Sequence, residues 1–154
     1  MSLIIASGSN IGNSPQTLRD ACAELSVHFS HIASSRIYTS PAVEYENQPD
    51  FYNQVIEFSL PDLKPDEVMK YLLEIEKKFG RHRDIPKGPR TLDLDIIFWG
   101  TTSFHSEIVT IPHPRWFERS FVVKPLQELP FFQTIRKCFT IPQSFTVDAA
   151  PLQD

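Results

Sequence analysis

The chain has 154 residues, of which 41% are hydrophobic and 22% are charged, and its formal net charge at pH 7 is -4. This length is enough for one domain with a hydrophobic core and short for two. The negative charge argues against a surface that binds the nucleic-acid backbone, and no hydrophobic run is long enough to span a membrane.

The two cysteines, Cys22 and Cys138, lie far apart in the sequence and form no Cys-x-x-Cys pair. They suggest neither a disulfide framework nor a zinc site, and they fit a reducing compartment. The apolar start, residues 3–6, is too short for a signal peptide. We therefore predict a cytoplasmic protein, acting as a monomer, without nucleic-acid or membrane partners.

The first half of the chain predicts a strand, a helix and two further strands. Residues 3–7 form a short apolar strand. Ser14 as N-cap and Pro15 in the first turn begin a helix that extends to about Phe29. Residues 32–38 and 51–60 have the composition of strands. The long, polar, proline-containing loop between these two strands is typical of a functional site.

The second half predicts a helix that begins at Pro65 and ends at Gly80, and then a strand over residues 91–99. The order β-α-β-β-α-β predicts an α+β, ferredoxin-like fold, in which an antiparallel sheet carries helices on one face. Beyond this core we expect C-terminal additions: a further strand over residues 108–111 and one or two short helices within 115–129. Residues 1–154 are predicted to form a single domain, with its core at 3–129 and a tail without a clear pattern.

The strand over residues 91–99 carries two aspartates at its start. Because side chains alternate between the faces of a strand, Asp93 and Asp95 share one face, about 7 Å apart along the strand. Their negative charges repel each other, and a hard divalent cation bound through oxygen atoms would relieve this repulsion. The alternative is that the aspartates are solvated or paired with a neighbouring arginine such as Arg90.

A basic cluster precedes this strand, and a smaller one follows it. The first comprises Arg81, His82, Arg83, Lys87 and Arg90, and the second His113, Arg115 and Arg119. On a protein of net negative charge, such a cluster predicts a local anion site, and arginine is well suited to phosphate oxygens. A solvated basic loop and a structural histidine are the alternatives. Beside paired carboxylates, the pattern favours Mg²⁺ with phosphate groups, as in nucleotide chemistry.

Amide and aromatic side chains predict a site for a flat heterocycle. Asn10 and Asn53 each donate and accept hydrogen bonds, as needed to recognise the polar edge of such a ring. Phe51 and Phe121 offer faces for stacking, although plain core packing is the alternative for both.

Four short segments occur in order within residues 3–129: Gly-Ser-Asn-Ile-Gly at 8–12, Gln-Pro-Asp-Phe-Tyr-Asn at 48–53, Gly-Pro-Arg-Thr-Leu-Asp-Leu-Asp-Ile at 88–96 and Ile-Pro-His-Pro-Arg at 111–115. Together they resemble the 6-hydroxymethyl-7,8-dihydropterin pyrophosphokinases of folate biosynthesis. The order and spacing of four motifs are far more specific than any one of them.

This resemblance implies transfer of the β,γ-diphosphate of ATP to the 6-hydroxymethyl group of the pterin, with release of AMP. It implies that ATP and the pterin are the partners and that two Mg²⁺ ions are held by Asp93 and Asp95. The catalytic residues it implies are Asp93, Asp95, Arg83 and Arg90. The implied ATP-binding residues are Glu76, Arg81, Arg83, Arg90, His113 and Arg119. The implied pterin-binding residues are Asn10, Ser40, Pro41, Val43, Phe51, Asn53 and Phe121.

From the residues alone, two other functions stay open. A different Mg²⁺-dependent phosphoryl or nucleotidyl transferase would use the aspartates without needing the pocket of Phe51, Asn53 and Phe121. A ferredoxin-like sheet also serves as a binding module without catalysis, including for RNA, with exposed aromatic residues amid basic charge. Here the basic residues lie on loops, and Asp93 with Asp95 would repel a phosphate backbone unless a metal were bound.

Overall fold

The computed structural model describes residues 1–42, 48–80 and 91–153. The strands are β1 Ser2–Ser9, β2 His31–Ser34, β3 Tyr38–Ser40, β4 Phe51–Ser59, β5 Asp93–Trp99, β6 Phe104–His105, β7 Thr110–Ile111 and β8 Ala150–Pro151. The helices are α1 Ser14–His28, α2 Pro65–Lys78, α3 Ser120–Leu126 and α4 Phe132–Cys138, with a 3-10 turn at Trp116–Glu118.

The main sheet is antiparallel and has the strand order β5-β1-β4-β3-β8, with β2 also paired to β4. The strand β1 is central, since it pairs with β4 on one side and with β5 on the other. This order confirms the predicted ferredoxin-like α+β fold. A separate two-stranded hairpin joins β6 to β7, so the strand predicted at residues 108–111 is shorter than expected.

The strand predicted over residues 32–38 is instead two short strands, β2 and β3. The interruption falls at Ser35, whose hydroxyl accepts a hydrogen bond from the backbone N–H of Val55 at 3.0 Å. A side chain therefore takes the place of a backbone carbonyl in the ladder along β4, and the regular pairing ends there. The pattern of hydrophobic residues does not reveal that a serine hydroxyl replaces a backbone acceptor in this way.

The helix α1 begins one residue earlier than predicted, because Asn13 and not Ser14 is the N-cap. The side chain of Asn13 accepts a hydrogen bond from the backbone N–H of Gln16 at 3.3 Å. Ser14 is buried and accepts instead from the hydroxyl of Ser9 at 2.9 Å. Ser14 thus holds the start of α1 against the end of β1.

Each face of the sheet carries a hydrophobic core. The helices α1 and α2 cover one face, where their buried residues pack on the strands: Leu18, Ala21, Leu25, Val68, Leu72 and Ile75 on Leu3, Ile5, Ile56, Phe58, Leu94 and Ile96. The C-terminal additions cover the other face, where Val122, Val123, Leu126, Leu129, Phe131 and Ile135 pack on Ile4, Val55, Ile97 and Phe98. The tail without a predicted pattern therefore contributes Phe131 and Ile135 to the core of the second face.

None of the helices in the described ranges combines the length and the hydrophobicity that crossing a membrane requires.

Candidate active site

The register of the three central strands brings two of the predicted site residues, Asn53 and Asp93, into one row. Gly8 of β1 is paired with Asn53 on β4 and with Asp93 on β5. In the next row of this face, Ala6 is paired with Asp95. Residues paired across a sheet point to the same face. Segments that are 45 and 85 residues apart in the chain thus lie side by side.

This row forms the floor of a cavity of about 600 Å³. The cavity brings together seven residues predicted from the sequence: Ser40, Pro41, Phe51, Asn53, Asp93, Asp95 and Phe121. Arg119, predicted to bind phosphate, also lines it. A volume of this size suits a small heterocyclic ligand. The amide, the aromatic rings and the carboxylates are therefore parts of one cavity.

Asn53 is the polar group in this cavity that needs a ligand. Its side chain is 8% exposed, and within the described residues its Nδ2 atom has no hydrogen-bond partner. A Cβ atom added at Gly8 would lie 2.7 Å from Asn53 Oδ1. The glycine therefore makes room for the amide, which lies over the row between β4 and β5. A buried donor without a partner costs free energy, and a ligand acceptor would remove that cost.

Two half-buried aromatic rings, Phe51 and Phe121, line the same cavity. Phe51 begins β4, and Phe121 is the second residue of α3. The guanidinium carbon of Arg119 lies 5.6 Å from the centre of the Phe121 ring. This contact keeps a positive charge beside an aromatic ring of the cavity. Both residues lie at the start of α3, so the placement of α3 determines where they stand in the site.

Asp93 and Asp95 are half-buried on β5, and they alternate with the buried Leu94. The predicted shared face is confirmed, since both carboxylates line the cavity. Among residues 1–42, 48–80 and 91–153 there is no group of three or more His, Cys, Asp or Glu side chains that could hold a metal ion. Two carboxylates alone suit Mg²⁺, which keeps water ligands and takes further oxygen atoms from phosphate groups.

A second cavity of about 300 Å³ lies next to the first and shares Asp95 with it. Its other lining residues include Met69, His105, Thr110 and His113. The shared carboxylate means that ligands in the two cavities would meet at Asp95.

His113 is held as a neutral ring in this second cavity. Burial lowers its pKa to about 4, assisted by the positive charges of Arg119 and Arg115 and opposed by Asp93. Its Nδ1 atom accepts a hydrogen bond from the backbone N–H of Arg115 at 3.2 Å. The neutral ring therefore carries its proton on Nε2, which makes that atom a hydrogen-bond donor at neutral pH.

Two predicted site residues are near the cavities but do not line them. Asn10 is buried, and its Nδ2 donates to Gln48 Oε1 at 2.8 Å and to the carbonyl oxygen of Pro49 at 3.1 Å. Glu76 is also buried, and its Oε2 accepts from the backbone N–H of Leu94 at 2.7 Å. Asn10 thus holds the segment before β4, and Glu76 holds β5 between its two aspartates.

Four predicted site residues lie outside the described residues: Val43, Arg81, Arg83 and Arg90.

The cavity also includes residues that were not among the predicted ligands. They include Gln48, Arg115, Glu118, Ser120, Thr146 and Val147. Gln48 and Arg115 belong to segments that the sequence had already singled out, and Ser120 stands beside Phe121, so position in the sequence was an available signal for these three. Thr146 and Val147 belong to the tail, where the sequence offered none.

The fold and the site define an α+β enzyme of the ferredoxin-like type with paired carboxylates beside a heterocycle-sized cavity. The sequence model of one family, 7,8-dihydro-6-hydroxymethylpterin-pyrophosphokinase, matches residues 4–130. The chain belongs to this family.

Curated relatives agree with that assignment. A 2-amino-4-hydroxy-6-hydroxymethyldihydropteridine pyrophosphokinase of Bacillus subtilis is 40% identical over 127 residues, which cover 81% of this chain and 75% of the relative. Its namesake from Synechocystis is 38% identical, with 82% and 65% covered. The folic acid synthesis protein fol1 of Pneumocystis carinii is 41% identical over 81% of this chain. The match spans only 17% of that longer protein.

Proposed function

We propose that the chain transfers the β,γ-diphosphate of ATP to the 6-hydroxymethyl oxygen of 6-hydroxymethyl-7,8-dihydropterin and releases AMP. Membership of the family makes the chain a pyrophosphokinase of folate biosynthesis, with ATP as co-substrate. The observation that carries the substrate assignment is the Nδ2 of Asn53, which has no hydrogen-bond partner among the described residues and lies in one cavity with two aromatic rings and two carboxylates.

In this proposal the larger cavity binds the pterin. Asn53 donates to an acceptor on the polar edge of the ring, and Phe51 and Phe121 stack on its faces. Ser40 and Pro41, at the end of β3, form a side wall. Val43 is a further proposed contact residue. Asn10 is proposed to act on the pterin through its hydrogen bonds to Gln48 and Pro49.

The smaller cavity is the proposed nucleotide site, because it meets the pterin cavity at Asp95. His113 presents a neutral Nε2–H to the phosphates, and Arg119 adds a positive charge. The predicted roles of Arg83 and Arg90 at the triphosphate, and of Arg81 at the edge of the nucleotide, complete the proposal. Glu76 acts on this site through Leu94, by fixing β5.

Asp93 and Asp95 are the residues that would hold Mg²⁺, and we propose that two ions would bind there beside the phosphates of ATP. When bound, Mg²⁺ supplies positive charge that neutralises the phosphate oxygens during transfer. The donor set fits this metal, since both side chains offer oxygen atoms and line the cavity.

The reaction needs the two ligands in line. The hydroxymethyl oxygen forms a bond to the β-phosphorus of ATP as the bond from that phosphorus to the α-phosphate oxygen breaks, and the hydroxyl proton is lost. The chain holds the nucleophile through Asn53 and the aromatic rings, and it holds the phosphates through His113 and the arginines. Such positioning supplies a large part of the rate enhancement in phosphoryl transfer.

Residues 1–154 are proposed to form one pyrophosphokinase domain that acts as a monomer. A cytoplasmic location stays a prediction, and it is supported by the free state of both Cys22 and Cys138.

The experiment that tests this function separates the nucleotide products after incubation with ATP and Mg²⁺, with and without the dihydropterin. AMP formed only in the presence of the pterin is the expected result. ADP as the product would favour ordinary phosphoryl transfer and overturn the proposal.

A further inference from the structure

A C-terminal segment beyond the family match contributes to the wall of the larger cavity. Thr146 and Val147 line it, together with Asn53 and Phe121. The sequence model of the family ends its match at residue 130. We infer that residues 144–151, called here the C-terminal strap, complete the pterin subsite and help to determine which heterocycle it accepts. This inference rests on the proposed function.

The strap is fastened to the start of α3 by one serine. The hydroxyl of Ser120 donates to the carbonyl oxygen of Val147 at 2.6 Å and accepts from the backbone N–H of Ala149 at 2.8 Å. Ser120 is 2% exposed and Ala149 is 1% exposed, so these bonds are sheltered from water. A buried hydroxyl that donates and accepts at once fixes the backbone on both sides of Asp148.

Two further contacts hold the strap between α3 and the edge of the sheet. The amino group of Lys124 donates to the carbonyl oxygen of Ala149 at 2.9 Å, and it lies 3.1 Å from Asp148 Oδ1. At the other end, β8 pairs with β3, where Thr39 is opposite Ala150. The strap therefore spans from α3 to β3, and both of these elements border the cavity.

The anchoring points lie beside proposed pterin contacts. Ser120 directly precedes Phe121, and Thr39 directly precedes Ser40, which lines the cavity. A change in the strap would therefore alter the width of the cavity at the stacking ring and at the side wall. Ser120 is a positioning residue in this scheme, since it acts through Val147 and Ala149.

The strap does not line the second cavity, whose described lining residues lie between Met69 and Pro114. Its effect is thus expected on the pterin alone. This separation gives the inference a kinetic signature: the KM for the pterin changes, whereas kcat and the KM for ATP do not.

The test compares Val147→Ala with Val27→Ala, a matched control because Val27 is 78% exposed on α1. Since the loss of a methylene-sized contact in a pocket is worth roughly tenfold or more, Val147→Ala is expected to raise the pterin KM about tenfold. The control is expected to leave it within about twofold. Equal pterin KM values for the two variants, or equal effects on pterin and ATP, would overturn the inference.

Two further measurements keep the outcome clear. Val147→Thr keeps the side-chain volume but adds a hydroxyl group to the cavity wall. It replaces Val147→Ala, with the same expected rise in the pterin KM, if thermal unfolding shows that the alanine variant does not fold. Equilibrium binding of the dihydropterin, followed by calorimetry without ATP, tests the strap independently of turnover. If the wild-type chain binds the pterin but forms no AMP, the proposed function fails. In that case, weaker binding of the pterin by Val147→Ala than by Val27→Ala still supports the role of the strap, and equal binding overturns it.

Discussion

At the scale of single residues, the site depends on one amide and on the glycine that makes room for it. Asn53 Nδ2 lies buried without a partner in the described structure, and the backbone of Gly8 passes beneath the amide. Proteins rarely bury an unpaired donor, because the loss of hydration is not repaid. The bound heterocycle is therefore expected to supply the missing acceptor.

We predict that Asn53→Ala raises the pterin KM by about 10- to 100-fold, as expected for the loss of one buried hydrogen bond, about 1–3 kcal/mol. Thermal stability is expected to be unchanged or slightly higher, because within the described residues the amide nitrogen makes no hydrogen bond. Steady-state kinetics and thermal unfolding measure the two effects.

The matched control is Gln54→Ala, at the next position of the same strand. Gln54 is also buried, but its Nε2 donates to the carbonyl oxygen of Ser35 at 2.8 Å. This variant is expected to lower stability while leaving the pterin KM unchanged. A normal pterin KM for Asn53→Ala would remove Asn53 from the binding site.

His113 gives a prediction about pH. Its pKa is about 4 in the folded chain, below the ordinary value of 6.5, mainly because of burial. Between these pH values the unfolded chain binds more protons than the folded chain. The free energy of unfolding of the apoprotein therefore rises from pH 4 to about pH 6.5, and the contribution of His113 is lost as the pH falls back through this range. Urea unfolding at several pH values measures this slope, and His113→Gln is expected to flatten it. The same slope in that variant would contradict the assignment.

At the scale of elements, β5 carries the two aspartates, Asp93 and Asp95, whose arrangement was the easiest part of the site to predict from the sequence. Alternation within one strand placed Asp93 and Asp95 on a common face, and the structure confirms it. Local periodicity was sufficient there because it involves only one segment. The division into β2 and β3 was not predictable from periodicity, because it arises from a hydrogen bond between Ser35 and the distant Val55.

The walls of the cavity likewise show that a pattern within one segment does not predict contacts between distant segments. Phe51, Asn53 and Phe121 were proposed through their chemistry and the family resemblance, and the cavity brings them together. Thr146 and Val147 could not be predicted, because their place depends on backbone contacts with Ser120 that leave no hydrophobic pattern. Tertiary contacts made by backbone atoms are the part of a site that cannot be predicted from a single sequence.

We predict that Asp95→Asn lowers kcat by roughly a thousandfold, because electrostatic stabilisation of the transferred group is usually the largest catalytic term. The side chain keeps its shape, so the unfolding midpoint is expected to stay close to that of the wild type. Single-turnover AMP formation across a range of Mg²⁺ concentrations measures the effect. Asp62→Asn, at an exposed position, is the control with the same change of charge. Wild-type turnover by Asp95→Asn would rule out the metal role.

At the scale of the whole molecule, one buried carboxylate joins the start of the chain to its C-terminal part. Glu57 on β4 is 3% exposed, and its two oxygens accept from different segments. The hydroxyl of Ser2 donates to Oε2 at 2.8 Å, and the backbone N–H of Phe131 donates to Oε1 at 3.0 Å. Glu57 therefore fastens the C-terminal additions to the sheet face on which the site lies.

We predict that Glu57→Leu lowers the free energy of unfolding by about 2 kcal/mol, the cost of leaving a buried N–H group unpaired. Glu57→Gln keeps one carbonyl acceptor for Phe131 and is expected to lose less. Urea unfolding measures both values. Equal stability of Glu57→Leu and the wild type would show that the C-terminal part is held by its hydrophobic contacts alone.

The most direct test of the whole account is the mass of the pterin product formed from ATP and Mg²⁺, with the nucleotide product measured in the same sample. We predict that the pterin gains two phosphate groups and that one AMP appears for each diphosphate ester formed. A pterin that gains a single phosphate group together with ADP would contradict the account. So would AMP release without any change in the mass of the pterin.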